Sequence, residues 1–139
     1  MTFQQAPAEL GLRALLVEAD GTTRPVVLPA DLPTGHAFRT AMAEHLGGPS
    51  FLGYCCPTCA PDRHSVTVGL LEHPPADAGH NEVATVITEM LRHAPLTAPI
   101  HGPALFLGAA DEDDRPTGLN SSQQQAMELF AVTWLALLA

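Results

Sequence analysis

The dipeptide Asp20-Gly21 is the feature that most constrains the fold of this chain. Apolar runs rich in branched side chains flank it, Leu12–Glu18 before and Thr23–Leu28 after. Because glycine supplies the positive φ that a tight turn requires, this arrangement predicts a β-hairpin. Pro25 cannot donate a ladder hydrogen bond, which predicts that the second strand is an edge strand or that Pro25 faces outward.

The middle of the chain predicts a helix followed by two strands. Apolar residues at helical spacing indicate a helix from His36 to Leu46, with Thr34 as its cap and Gly47-Gly48 as its stop. Ser50–Cys55 and Ser65–Leu71 have the composition of strands. The three cysteines would then lie at or within the connection between these strands.

A second helix has the clearest signals. Asn81 is a good N-cap, and Glu82 suits the positive end of the helix dipole. Helical spacing predicts one buried apolar stripe, with Thr85 and Thr88 outside it. The stripe consists of Val83, Val86, Ile87, Met90 and Leu91.

The chain is predicted to end in a short strand and a last helix. Ala104–Leu107 indicates a strand buried on both faces. Ser122 and Gln125 form a candidate capping box for a helix that runs to Leu138.

The predicted element order is β-β-α-β-β-α-β-α. This order indicates the α+β class, a mostly antiparallel sheet with helices mainly on one face. At 139 residues, the chain is long enough for one ordinary core. We therefore expect a flexible N-terminal segment over residues 1–11 and a single α+β domain over residues 12–139.

The last helix is apolar on nearly all sides, and Glu128 is its only charged residue. One small sheet covers about one face of a helix, so the rest predicts a partner, most simply a second copy of the chain. The alternative is that the helix threads entirely inside one chain. The predicted interface residues are Met127, Phe130, Trp134 and Leu135.

Charge and composition exclude several classes of partner. Fifteen acidic residues against six Lys and Arg give a net charge of −9, which disfavours nucleic acid and anionic membranes. No signal peptide is recognisable, and the longest apolar stretch is too short to span a bilayer. An odd number of cysteines without a secretory signal favours a reducing cytoplasm.

The segment "YCCPTCAPDRH" is the sharpest chemical feature of the sequence. Cys56 and Cys59 have the spacing of a zinc knuckle, with His64 and His73 as further candidate ligands. Strong zinc signatures have a second cysteine pair, which this chain lacks. Zinc is therefore a candidate cofactor, and two alternatives stay open: a redox dithiol, which Pro61 disfavours, and cysteines with a purely structural role.

No catalytic residues are predicted. The seven histidines are spread over element ends and loops, where surface and capping roles are the ordinary interpretation. Asp111–Asp114 lacks the spacing of a calcium loop. Neither a phosphate-binding motif nor G-x-S-x-G occurs, so we expect a protein without enzymatic activity, although the sequence leaves an enzyme open.

Several collinear stretches resemble a family of small domains from actinobacteria and their phages that is known only as a domain of unknown function. The similar stretches are "RALLV…DG…VVLP", "LGG", "NEVAT" and "GPALFLG…DE…TGL". The resemblance implies the same fold and a phage or mobile-element setting. It implies no activity and no site residues, and the cysteine cluster is not part of the family pattern.

Two functions follow as hypotheses. The first is a noncatalytic binding or regulatory accessory module of a phage or mobile element, which acts as a homo-oligomer and engages a protein partner. The second is a small zinc-binding protein or enzyme built around Cys56, Cys59 and His64.

Overall fold

The computed structural model describes residues 11–30, 35–56, 66–109 and 117–138, with only the backbone of residues 54–56. The order of strands and helices is the predicted one. The strands are β1 (Gly11–Val17), β2 (Thr23–Pro29), β3 (Ser50–Cys56), β4 (Val66–Leu71) and β5 (Ala104–Gly108). The helices are α1 (His36–Leu46), α2 (Glu82–Arg92) and α3 (Ser121–Leu138). The predicted cap Thr34 lies outside the described residues, and α1 follows Gly35.

The five strands form one antiparallel sheet in the order β2-β1-β5-β4-β3. The first hairpin therefore forms one edge of the sheet, and β3 forms the other. Pro25 lies on the edge strand β2, opposite Leu15, and its side chain is exposed. The α+β class and the edge position of Pro25 are confirmed.

The turn between β1 and β2 has the conformation that Asp20-Gly21 predicts. Gly21 has φ 91°, and its N–H donates a 2.8 Å hydrogen bond to the carbonyl of Glu18. The Asp20 carboxylate accepts from the backbone N–H of Thr22 at 3.0 Å and from the Thr22 hydroxyl at 2.7 Å. Both bonds lower the pKa of Asp20 from its ordinary value of 3.8, and the bond from the backbone N–H of Thr22 has the larger effect.

The sheet is covered on both faces, because successive side chains of a strand point to opposite sides. In β1, Leu15 and Val17 face the core under α2 and α3. Ala14 and Leu16 face a second core, which α1 closes with Phe38 and other apolar side chains. Two helices therefore share one face, and α1 alone covers the other.

Asn81 caps α2 as predicted and also ties the helix to the sheet. Its side-chain oxygen accepts a 3.0 Å hydrogen bond from the N–H of Ala84. Its side-chain amide donates to the carbonyls of Val17 and Gly102, each at 2.9 Å. The residue is fully buried, so α2 begins at a fixed point against the ends of β1 and the segment before β5.

The buried face of α2 differs from the predicted stripe. Val83 and Ile87 are buried as expected, but Met90 is 56% exposed. Thr88 is fully buried, so its predicted position outside the buried face is wrong. Its hydroxyl has no hydrogen-bond partner among the described residues.

The path of the chain after α2 accounts for this difference between the predicted and the observed buried face. The N–H of Ile100 donates a 2.9 Å hydrogen bond to the Thr85 hydroxyl, and the N–H of Leu96 donates at 2.9 Å to the Glu89 carboxylate. The segment after α2 therefore returns along the helix and covers its threonine side. Helical periodicity cannot show this, because the covering residues belong to another segment.

The capping box of α3 lies two residues earlier than predicted. Asn120 accepts a 2.7 Å hydrogen bond from the N–H of Gln123, and the Gln123 side chain accepts at 3.0 Å from the N–H of Asn120. This reciprocal pair replaces the predicted pair of Ser122 and Gln125. The helix consequently begins at Ser121.

Candidate functional site

The cysteine cluster lies at the end of β3, with Cys55 and Cys56 as the last two residues of the strand. Pairing between β3 and β4 continues to Cys56 opposite Val66, so the two strands form a hairpin around the cluster. The candidate ligands Cys59 and His64 lie outside the described residues. His73 is exposed two residues after β4, and within the described ranges no three metal-ligating side chains form a group that could hold an ion.

The four predicted interface residues lie on the inner side of α3. Met127 is only 6% exposed, within the core of its own chain. Phe130, Trp134 and Leu135 are partly buried against the same core. The rings of Phe130 and Trp134 stack at 5.7 Å, and the Trp134 indole N–H donates to the Glu82 carboxylate at 3.3 Å.

The opposite side of α3 carries exposed apolar side chains. Leu129, Val132 and Leu137 are 68%, 64% and 76% exposed. Helical spacing places Leu129, Val132 and Ala136 in one row, and Leu137 beside it. We call these four residues the outer face of α3. Glu128 is the only charged residue of the helix; it is half-buried and borders the outer face.

The sequence feature that points to the outer face is the near absence of charge from α3. The side of α3 that carries Phe130 and Trp134 instead packs against the core of its own chain, because large flat side chains fill the space above the sheet. A solvent-facing row of leucine and valine without any charge is uncommon on a helix that contacts only its own core. This row is therefore the candidate functional surface.

Three concavities on the described surface indicate a function less clearly than the outer face of α3 does. One of about 340 Å³ lies between α1 and β3, with Phe38, Phe51 and Glu72 in its wall. Another of about 520 Å³ lies between β2 and α3, beside Arg13 and Val27. A third of about 180 Å³ lies where the β1–β2 turn meets α3. In none of these three does a histidine stand beside a serine or cysteine nucleophile.

The fold thus defines a small α+β domain whose antiparallel sheet is covered by helices on both faces. No protein-family model, no curated protein and no solved structure matches the chain. The resemblance to the actinobacterial and phage family therefore stays a prediction. Over the part of the chain that the structure describes, no helix has both the length and the apolar character needed to cross a membrane.

Proposed function

We propose that this protein is a noncatalytic interaction module that forms a homodimer through the outer face of α3. In this proposal it serves as a binding or regulatory accessory protein. The observation that carries the proposal is the exposure of Leu129, Val132 and Leu137 on the uncharged outer face of α3.

The distribution of charge makes this face the place where a second copy meets the least repulsion. The chain carries a net charge of −9, so two copies repel each other over most of their surfaces. The outer face of α3 itself contains no acidic residue, and Glu128, one turn before Val132, is the only carboxylate of the helix. A twofold axis would pair the same patch on both subunits, which is the commonest arrangement of homodimers.

The size of the face sets the expected affinity. α3 has 18 residues and is thus about 27 Å long, which allows a contact of several turns. Stable interfaces bury roughly 1,200–2,000 Å² in total, and one helix pair falls at the lower end of that range. We therefore expect a reversible dimer whose population depends on protein concentration.

The phage or mobile-element setting is a separate part of the proposal. It is supported only by the collinear stretches that resemble the actinobacterial and phage family, from "RALLV" in β1 to "TGL" before α3. Co-expression with the neighbouring genes, followed by co-purification of a defined partner, would test it.

Sedimentation equilibrium tests the dimer directly. We expect a dimeric mass for the wild type at tens of micromolar protein, and a folded monomer for Val132→Glu. Leu52→Glu is the control, because it places the same charge on an exposed apolar residue of β3, at the opposite edge of the sheet from β2. A monomeric wild type would overturn the proposal, as would a dimer that Leu52→Glu dissociates and Val132→Glu does not.

A zinc site at the cysteine cluster is the second function that we propose to test. The pairing of β3 and β4 up to Cys56 and Val66 supports it, because it places Cys56 at the end of a paired strand, where a zinc knuckle begins. Zinc that stays with the protein after dialysis, in a one-to-one ratio, would support the site. Cys56→Ser and Cys59→Ser should each release it and lower the melting temperature.

Cys55→Ser is the control for this second function. Adjacent residues of a strand point to opposite faces, so Cys55 and Cys56 cannot both ligate one ion without distortion. Cys55→Ser should therefore leave the zinc content unchanged. Equal loss of zinc from all three variants would contradict the ligand assignment.

A further inference from the structure

Two histidines that are 21 positions apart in the sequence meet beside the N-terminus of α2. His80 and His101 form an isolated antiparallel bridge. The N–H of Asn81 donates to the carbonyl of Ile100 at 2.7 Å, and the N–H of Gly102 donates to the carbonyl of Gly79 at 2.9 Å. Both bonds join the flanking residues, so His80 and His101 are a non-hydrogen-bonded pair, the arrangement that brings cross-strand side chains closest.

The two imidazole rings are correspondingly near each other. Their centroids are 4.4 Å apart, and the ring planes are at 88°. Two imidazoles at adjacent positions of a square-planar or octahedral ion, with metal–nitrogen bonds of about 2.0–2.1 Å, have centroids roughly 4.5 Å apart. The observed centroid separation is close to this value, although the rings now meet edge to face and would have to turn to direct their nitrogens at one ion. His80 is exposed and His101 half-buried, which leaves room for this rotation.

We propose that His80 and His101 form a two-histidine site for a divalent first-row transition metal with square-planar or octahedral geometry, such as Ni²⁺ or Cu²⁺. Neutral imidazole nitrogens suit these ions. Two protein ligands leave the other coordination positions to water or to a small exogenous ligand, which makes the site an open one. It is separate from the cysteine cluster and from the outer face of α3.

The backbone around the pair is already held in place. Asn81, next to His80, is fully buried and hydrogen-bonded to β1 and to Gly102, next to His101. The backbone of both ligands is therefore fixed before the ion arrives, and only the two rings have to turn, which reduces the ordering cost of binding. An ion that joins positions 80 and 101 would also cross-link the two ends of the segment that contains α2, so it should stabilise the folded chain.

Calorimetric titration of the full-length protein with Ni²⁺ tests the site. Ni²⁺ is the probe because it prefers imidazole, whereas soft thiolates favour other metals. We expect one Ni²⁺ per chain, with an affinity about tenfold or more lower in both His80→Gln and His101→Gln. His45→Gln, on α1 across the sheet, and the double variant Cys56→Ser/Cys59→Ser should bind as the wild type does.

A second measurement separates binding from a loss of folding. The melting temperature in EDTA should be nearly the same for wild type and His80→Gln, because His80 is exposed. Added Ni²⁺ should raise the melting temperature of the wild type and not that of His80→Gln. Unchanged Ni²⁺ affinity in both histidine variants, or loss of binding in the cysteine variant alone, would overturn the proposal and leave the two rings as an aromatic contact only.

Discussion

The side-chain amide of Asn81 donates a 2.9 Å hydrogen bond to the main-chain carbonyl of Val17, 64 residues earlier in the chain. This bond joins the first turn of α2 to the end of β1. The same amide donates to the carbonyl of Gly102, and the side-chain oxygen caps the helix at Ala84. One buried residue thus connects a helix, a central strand and the segment that leads to β5.

Asn81→Ala should therefore be severely destabilising. The loss of the cap and two unsatisfied buried carbonyls should lower the free energy of unfolding by about 2–4 kcal/mol. Asn120→Ala is the control, because Asn120 is an exposed cap on α3 and should cost about 0.5–2 kcal/mol. Urea denaturation measures both. Equal losses would show that the bonds to Val17 and Gly102 contribute little.

Gly21→Ala and Gly47→Ala should separate backbone strain from crowding. Both glycines have positive φ, 91° and 95°, so each variant bears a similar strain of about 1–2 kcal/mol. A Cβ at Gly21 would lie 2.8 Å from Leu135 Cδ2 and 3.0 Å from Val83 Cγ2, whereas one at Gly47 meets no atom within 4 Å. The free energy of unfolding should thus fall by about 1 kcal/mol more in Gly21→Ala than in Gly47→Ala, because the added methyl group overpacks the site.

Trp134 fluorescence gives an independent measure of that crowding. Trp134 precedes Leu135 on α3, so a shift of the helix away from the β1–β2 turn should change its emission. We expect the change in Gly21→Ala only. The same spectrum in both glycine variants would place the cost in the backbone alone.

The burial observed along α2 leads to a separate prediction. Ile87→Asp should unfold the domain, because Ile87 is 5% exposed and an unpaired charge there has no partner. Met90→Asp should fold, because Met90 on the same helix is largely exposed. Circular dichroism melting compares them. A cooperative melt of Ile87→Asp, or loss of folding in Met90→Asp, would contradict the observed burial.

Asp20 should give the stability of the protein a small dependence on acid pH. Hydrogen bonds from Thr22 lower its pKa in the folded state below 3.8. The unfolded chain consequently binds more protons in that range, so the stabilisation is present above the unfolded pKa and disappears as the pH falls through the folded pKa. Asp20→Asn should reduce the slope of unfolding free energy against pH below about 4. An unchanged slope would show that Asp20 does not contribute.

Local signals in the sequence were sufficient to predict the strands and helices and their order along the chain. Asp20-Gly21 specifies the turn because its conformation depends on a few adjacent residues. Asn81 specifies the start of α2 for the same reason, and α1 has the bounds predicted from spacing alone. The α+β class follows, because the order of elements limits how they can pack.

The faces of these elements could not be predicted in the same way. Thr88 is fully buried, and the segment containing Leu96 and Ile100 returns along α2 to bond Thr85 and Glu89, which no pattern within the helix shows. The aromatic side of α3 was predicted to face a partner, yet Met127 lies in the core of its own chain and Leu129 faces outward. Burial depends on which distant segment covers a side chain.

The sequence by itself determined where the chain turns, where α1 and α2 lie, and that its net charge is negative. Only the tertiary structure decided which side of α3 is free and that His80 and His101 meet across a bridge. The physical reason is the range of the interactions. Turn and cap energies depend on neighbouring residues, whereas the outer face of α3 and the histidine pair depend on contacts between segments far apart in the chain.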